Sequence, residues 1–167
     1  MTPSSLVRLL SWRVFLLVLL VATILSDAYG ATVTWVNPSS GDWGIGSNWS
    51  SGTIPGPSDD VVINSLGGIV VTISSGDQSI NSLSAAGGLH LVGGSLSVAA
   101  GSTVSGELLI SSGATLTVSG SSATFDALGP TNIDGAKFSI ANGGKASFPN
   151  VTTYDITETH DEVITVD

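Results

Sequence analysis

Residues 93–120 read GGSLSVAAGSTVSGELLISSGATLTVSG. By composition this is a Gly/Ser/Thr linker, but the positions of its apolar residues say otherwise. Leu96 and Val98 flank Ser97, and Leu116 and Val118 flank Thr117. A period of two places each apolar pair on one face of a short strand and the polar residue on the other. The punctuation recurs as well: Gly94, Gly101, Gly106, Gly113 and Gly120 close strand-length units, and glycine supplies the φ > 0 conformations that tight corners require. Strands this short bury no core as isolated hairpins. Coiled into a solenoid, each turn stacks on the last at about 4.8 Å and buries a column of Leu, Val and Ile. Two or three such units make a coil of roughly 20 residues. The stretch therefore predicts rungs of a parallel β-helix.

The same alternation surrounds it. Leu89 and Leu91 flank His90, and Phe138 and Ile140 flank Ser139. Beyond the N-terminal 30 residues no segment keeps a helical period over three turns, so the fold class is all-β. The reading is a short β-solenoid over residues 61–153, with the first clean strand at Val61–Ile63. An antiparallel β-sandwich with glycine turns is the alternative architecture, and the glycine ladder favours the solenoid.

Residues 31–60 differ in kind, with Trp35, Trp43 and Trp49 among Pro38, Pro55 and Pro57. A solenoid exposes the edge and core of its first rung unless something covers them, so this Trp/Pro-rich segment is expected to be an N-terminal cap. Residues 1–30 carry Arg8 and Arg13 before the apolar run VFLLVLLVATIL, with Ala28 and Gly30 placed for a cut before Ala31. That describes a secretory signal peptide. The rival reading, a retained anchor, wants about 20 apolar residues. Residues 154–167 form an acidic tail with Asp155, Glu158, Asp161, Glu162 and Asp167. They end on EVITVD, which reads as a strand or the start of a further rung, as though the natural protein continued.

Removing the leader takes both arginines, leaving Lys137 and Lys145 against twelve acidic residues, so a formal net charge of −9 becomes more negative still. Such a surface releases no counterions from phosphates and is repelled by anionic lipid, so neither nucleic acid nor a membrane surface is an expected partner. With no cysteine, export has not served to install disulfides.

The opening around Trp43, Asn48, Trp49, Gly52, Pro55, Asp59, Val61 and Ile63, followed by Gly93, Gly94, Leu96 and Val98, resembles the N-terminal region of large secreted bacterial repeat proteins of the autotransporter-like and adhesin-like type. The resemblance spans about residues 34–120. It implies a right-handed parallel β-helix outside the cell or on its surface. This chain is short for that family and shows no C-terminal membrane barrel, so self-export through an outer membrane is not implied.

Candidate sites are few. Asp59 and Asp60, joined by Asp42, have the oxygen chemistry of a Ca²⁺ site, but the loop spacings of known calcium motifs are absent; the plainer role for Asp59 is to orient the turn into the first strand. Trp35, Trp43 and Trp49 either stack on sugars, as a carbohydrate-binding module would, or pack as the cap's own core. His90 is expected to face solvent on a rung, and His160 sits in the acidic TETHDE with no zinc spacing. Asn48-Trp49-Ser50 and Asn150-Val151-Thr152 match the N-glycosylation sequon. A β-helical polysaccharide-active enzyme needs placed carboxylates, and no nucleophile-elbow motif occurs, so no catalytic residue and no cofactor is assigned. The sequence points to a secreted or surface structural or adhesive protein that is not an enzyme, with extracellular polysaccharide or other surface proteins as partners.

Overall fold

The structure is a computed structural model, and it describes residues 30–64 and 68–151. The leader, His160 and the acidic tail lie outside the described residues. Alternating apolar residues fold as the sequence predicts, into short strands that coil as a parallel β-solenoid of three sheets. The sandwich alternative is therefore set aside.

A partial first turn comprises β1 (Thr32–Thr34) and β2 (Gly41–Asp42). Four full turns follow. The first has β3 (Asp60–Ile63), β4 (Val70–Ile73) and β5 (Asp77–Ile80), and the second β6 (Ser82–Ala85), β7 (Gly88–Leu91) and β8 (Ser95–Val98). The third has β9 (Gly101–Val104), β10 (Leu108–Ile110) and β11 (Thr115–Ser119), and the fourth β12 (Thr124–Ala127), β13 (Thr131–Asn132) and β14 (Lys137–Ala141), before β15 (Lys145–Ser147) opens the next. The first sheet runs β1-β3-β6-β9-β12-β15, the second β2-β4-β7-β10-β13 and the third β5-β8-β11-β14.

Register aligns like with like along the axis. Leu96, Leu116 and Phe138 stack inward on the third sheet, as do Ile80, Val98, Val118 and Ile140. On the second sheet Val71, Leu89 and Leu108 form one column and Ile73, Leu91 and Ile110 another. These side chains are fully buried in the middle turns, each burial favouring the folded state by about 1.5–3 kcal/mol. At the C-terminal end Phe138, Ile140, Ala146, Phe148 and Val151 are only partly buried.

Among the described strands one fully buried position is polar. Ser102 is 2% exposed between Leu83 and Phe125, and its hydroxyl accepts from the Leu83 amide at 3.0 Å and donates to the Ala100 carbonyl at 3.1 Å. The serine thus substitutes for a ladder bond where β6 and β9 pair only from Ser84 and Thr103 onward.

The glycine punctuation has two causes. Gly94 takes φ +71 at a corner, as the sequence suggests. Gly106 has no left-handed backbone; it is required because a Cβ there would run into the carbonyl of Gly87 one turn earlier. Gly101 ends no unit, but is the first residue of β9.

Candidate functional site

Residues 31–60 enter the solenoid rather than merely lying across it. β1 pairs parallel with β3, and β2 with β4. The chain then turns through a single 3-10 turn, Gly46–Asn48, and reverses direction. Trp49 bridges Trp35 in the antiparallel sense, flanked by Val36 N–H donating to Asn48 O and Ser50 N–H to Thr34 O, each at 2.8 Å. The N-terminal edge of the first sheet is thereby covered at residues 34–36 by a short segment running against the parallel order, which blunts that part of the edge against further pairing.

The tryptophans fill the space beneath. Trp35 and Trp49 meet edge to face with centroids 5.0 Å apart, and Trp43 and Trp49 at 4.7 Å. The Trp49 indole N–H donates to Trp43 O at 2.8 Å and that of Trp35 to Ser39 O at 3.3 Å, whereas Trp43 Nε1 is buried without a hydrogen-bond partner. Trp35, Trp43 and Trp49 are 4%, 0% and 2% exposed, so none offers a ring face to a sugar. The carbohydrate-contact expectation for these three residues is corrected: they are the cap's core.

Asn48 organises this cap, a role the sequence reading missed although the residue stands in the opening motif. It is 7% exposed. Its Nδ2 donates to Asp42 O at 3.0 Å, and its Oδ1 accepts from Asn37 Nδ2 at 2.9 Å. The amide nitrogen of the first sequon is thus turned into the cap and hydrogen-bonded there, not presented to solvent. Asn150, in the second sequon, is exposed, and donates to Leu128 O at 2.7 Å.

The acidic candidates do not converge. Asp42 lies on the second sheet, where it accepts from Gly44 N at 2.7 Å and from the Ser74 hydroxyl. Asp59 ties the turn into β3, accepting from Gly56 N at 2.8 Å and from Ala31 N at 3.1 Å, which is the orienting role expected from its position. Asp60 opens β3 on the first sheet; the Ser82 hydroxyl and the Asn81 amide bond to its Oδ1 and hold its carboxyl below the ordinary value of 3.8, with Ser82 the larger cause. Among the described residues no group of three or more His, Asp or Glu is arranged to hold a metal ion.

His90 lies outward on β7, in register with Thr72 and Leu109. Its side chain is 23% exposed. Nε2 is 3.5 Å from Glu107 Oε2, without a hydrogen bond. Among the described residues no helix is long and apolar enough to cross a membrane. No protein-family model, curated protein or solved structure matches the chain.

Proposed function

We propose that this protein is a secreted or cell-surface structural repeat protein, a rigid spacer or adhesive element that works without catalysis and within a larger surface assembly. The observation that carries this reading is the capped β-solenoid whose outward third-sheet row Ser79-Ser97-Thr117-Ser139 consists of short hydroxyl side chains. Hydroxyl rows leave the rungs unencumbered, and stacked backbone ladders supply rigidity without disulfides. The leader-like N-terminus and the resemblance of the opening motif to surface-exposed bacterial repeat proteins support the location.

Antibody labelling and protease shaving of intact producing cells, together with assay of the culture medium, test it. Detection outside the cytoplasm, with loss of attachment or envelope integrity when the gene is deleted, is the expected result. A protein confined to the cytoplasm overturns the reading.

A further inference from the structure

We propose that Asn142 is a self-modification site: the backbone nitrogen of Gly143 displaces its side-chain amide, water opens the product, and the isoaspartate so formed releases β15 from the solenoid. The inference concerns covalent chemistry at one corner of the coil and does not rest on the surface role.

Between β14 and β15 the chain turns on Ala141, Asn142, Gly143 and Gly144. The Gly144 amide donates to the Ala141 carbonyl at 3.0 Å, and the two central residues have φ of 55° and 82°. Positive φ at both is the mark of a type I′ turn, for which Asn-Gly is a preferred sequence. Among the described residues Asn142 is the one non-glycine with positive φ, a conformation that asparagine tolerates better than most. Both central residues are exposed. Asn142 Nδ2 donates to Ser119 Oγ at 2.9 Å on the rung beneath, whereas the Gly143 amide donates to no described residue. That amide is the nucleophile, and Gly143 carries no Cβ to hinder its approach. Of the seven asparagines in the chain, Asn142 alone is followed by glycine; the others precede Pro, Trp, Ser, Ile or Val.

The reaction balances with water alone. The Gly143 nitrogen gives its proton to solvent and bonds to Asn142 Cγ. The Cγ–Nδ2 bond breaks and ammonia leaves, closing a cyclic imide. Water then opens the ring at either carbonyl. Opening at Cγ gives aspartate, which holds the left-handed conformation as asparagine does. Opening at the main-chain carbonyl gives isoaspartate, whose backbone runs through Cβ and Cγ and is longer by a carbon. The added atom falls where the corner is tight: Gly144 is buried, and a Cβ on it would collide with the Val118 carbonyl. A longer backbone there breaks the bond from Gly144 to Ala141 and draws the Lys145 amide off the Ala123 carbonyl, so β15 lifts from β12.

The test is peptide mapping by mass spectrometry of the full chain, as its host processes it, aged in mildly alkaline buffer beside a urea-unfolded sample. Conversion at Asn142 is expected to run about tenfold ahead of any other asparagine, because only there does the attacking nitrogen belong to a residue without a Cβ. The rate is expected to rise with pH, and electron-transfer fragmentation to identify isoaspartate. Amide exchange is expected to show β15 losing protection as isoaspartate accumulates. Asn142→Gly, which takes the positive φ and has no amide to lose, is expected to age without that change. Asn142 intact in the folded protein after it has converted in the unfolded chain overturns the proposal, as does earlier conversion at another asparagine. Isoaspartate with β15 still fully protected overturns the release.

Discussion

At Asn48 one residue joins three parts of the cap: its side chain bonds the Asp42 carbonyl and the Asn37 amide, and its backbone carbonyl accepts from the Val36 amide at the antiparallel return. Asn48→Ala removes two part-buried hydrogen bonds, to the Asp42 carbonyl and the Asn37 amide, at a cost of about 1–3 kcal/mol. Chemical denaturation followed by tryptophan fluorescence is expected to show that loss, and an unchanged midpoint would mean that water replaces the side chain. The opening motif made Asn48 and the tryptophans conspicuous in the sequence, but whether they face a ligand or one another depends on the chain reversing at residues 48–50, which no local pattern announces. Asp60 is the residue whose ionisation is tied to the fold. Its folded carboxyl is held below 3.8 by Ser82 and Asn81, so the folded state binds this proton less readily than the unfolded chain. The resulting stability is present above the unfolded value and is lost as pH falls through the folded one. Asp60→Asn is expected to destabilise the protein at pH 7, with the gap from the parent narrowing below about pH 4. A gap constant from pH 7 to pH 2 would separate Asp60 from the acid response.

At the scale of the strand, alternation was legible because the physics is local: one residue in, one out, with the column completed by the rung above. Every apolar pair singled out in residues 89–118 is buried. What was not legible is also instructive. β1 and β2 are three and two residues long, too short for a period to register, and they exist because β3 and β4 offer them ready-made edges. Ser102 breaks the apolar column inward, and its hydrogen bonds to the Leu83 amide of the neighbouring rung and to the nearby Ala100 carbonyl explain why a hydroxyl is tolerated. Gly106 looked like a turn residue, but its cause is the backbone of the rung beneath. The acidic residues failed to form a cluster because neighbours in sequence, Asp59 and Asp60, turn to different partners, and Asp42 belongs to another sheet. The columns make a sharp prediction. Leu96 is 0% exposed in register with Leu116, so Leu96→Asp places an unpaired charge in the core, at a cost above about 4 kcal/mol. Far-UV circular dichroism is expected to lose its β signature, whereas Thr117→Asp on the outward face of β11 is expected to stay within about 0.5 kcal/mol of the parent. A folded Leu96→Asp protein would place Leu96 outside the core.

For the solenoid as a whole, stability is close to a sum over turns and the interfaces between them, so the ends decide where opening begins. The N-terminal end is held by three packed tryptophans and a reversed segment bridged at Trp49. The middle turns have neighbours on both sides and columns such as Leu116 and Val118 at 0% exposure. In the fourth turn the equivalent residues Phe138 and Ile140 are only partly buried, so each contributes less apolar burial to the interface beneath it. Local opening costs least where buried apolar contact is least. Amide hydrogen exchange is accordingly expected to show strong, uniform protection in β8 and β11, weaker protection in β14 and β15, and protection in β1 closer to the middle than to the C-terminal turns. The gradient is a property of the single coil, so it is to be measured at the lowest usable protein concentration. Equal protection in β11 and β14 under dilute conditions would show that the fourth turn is held as firmly as the third. The partial exposure of Phe138 and Ile140 would then cost the solenoid nothing, contrary to a sum over buried columns.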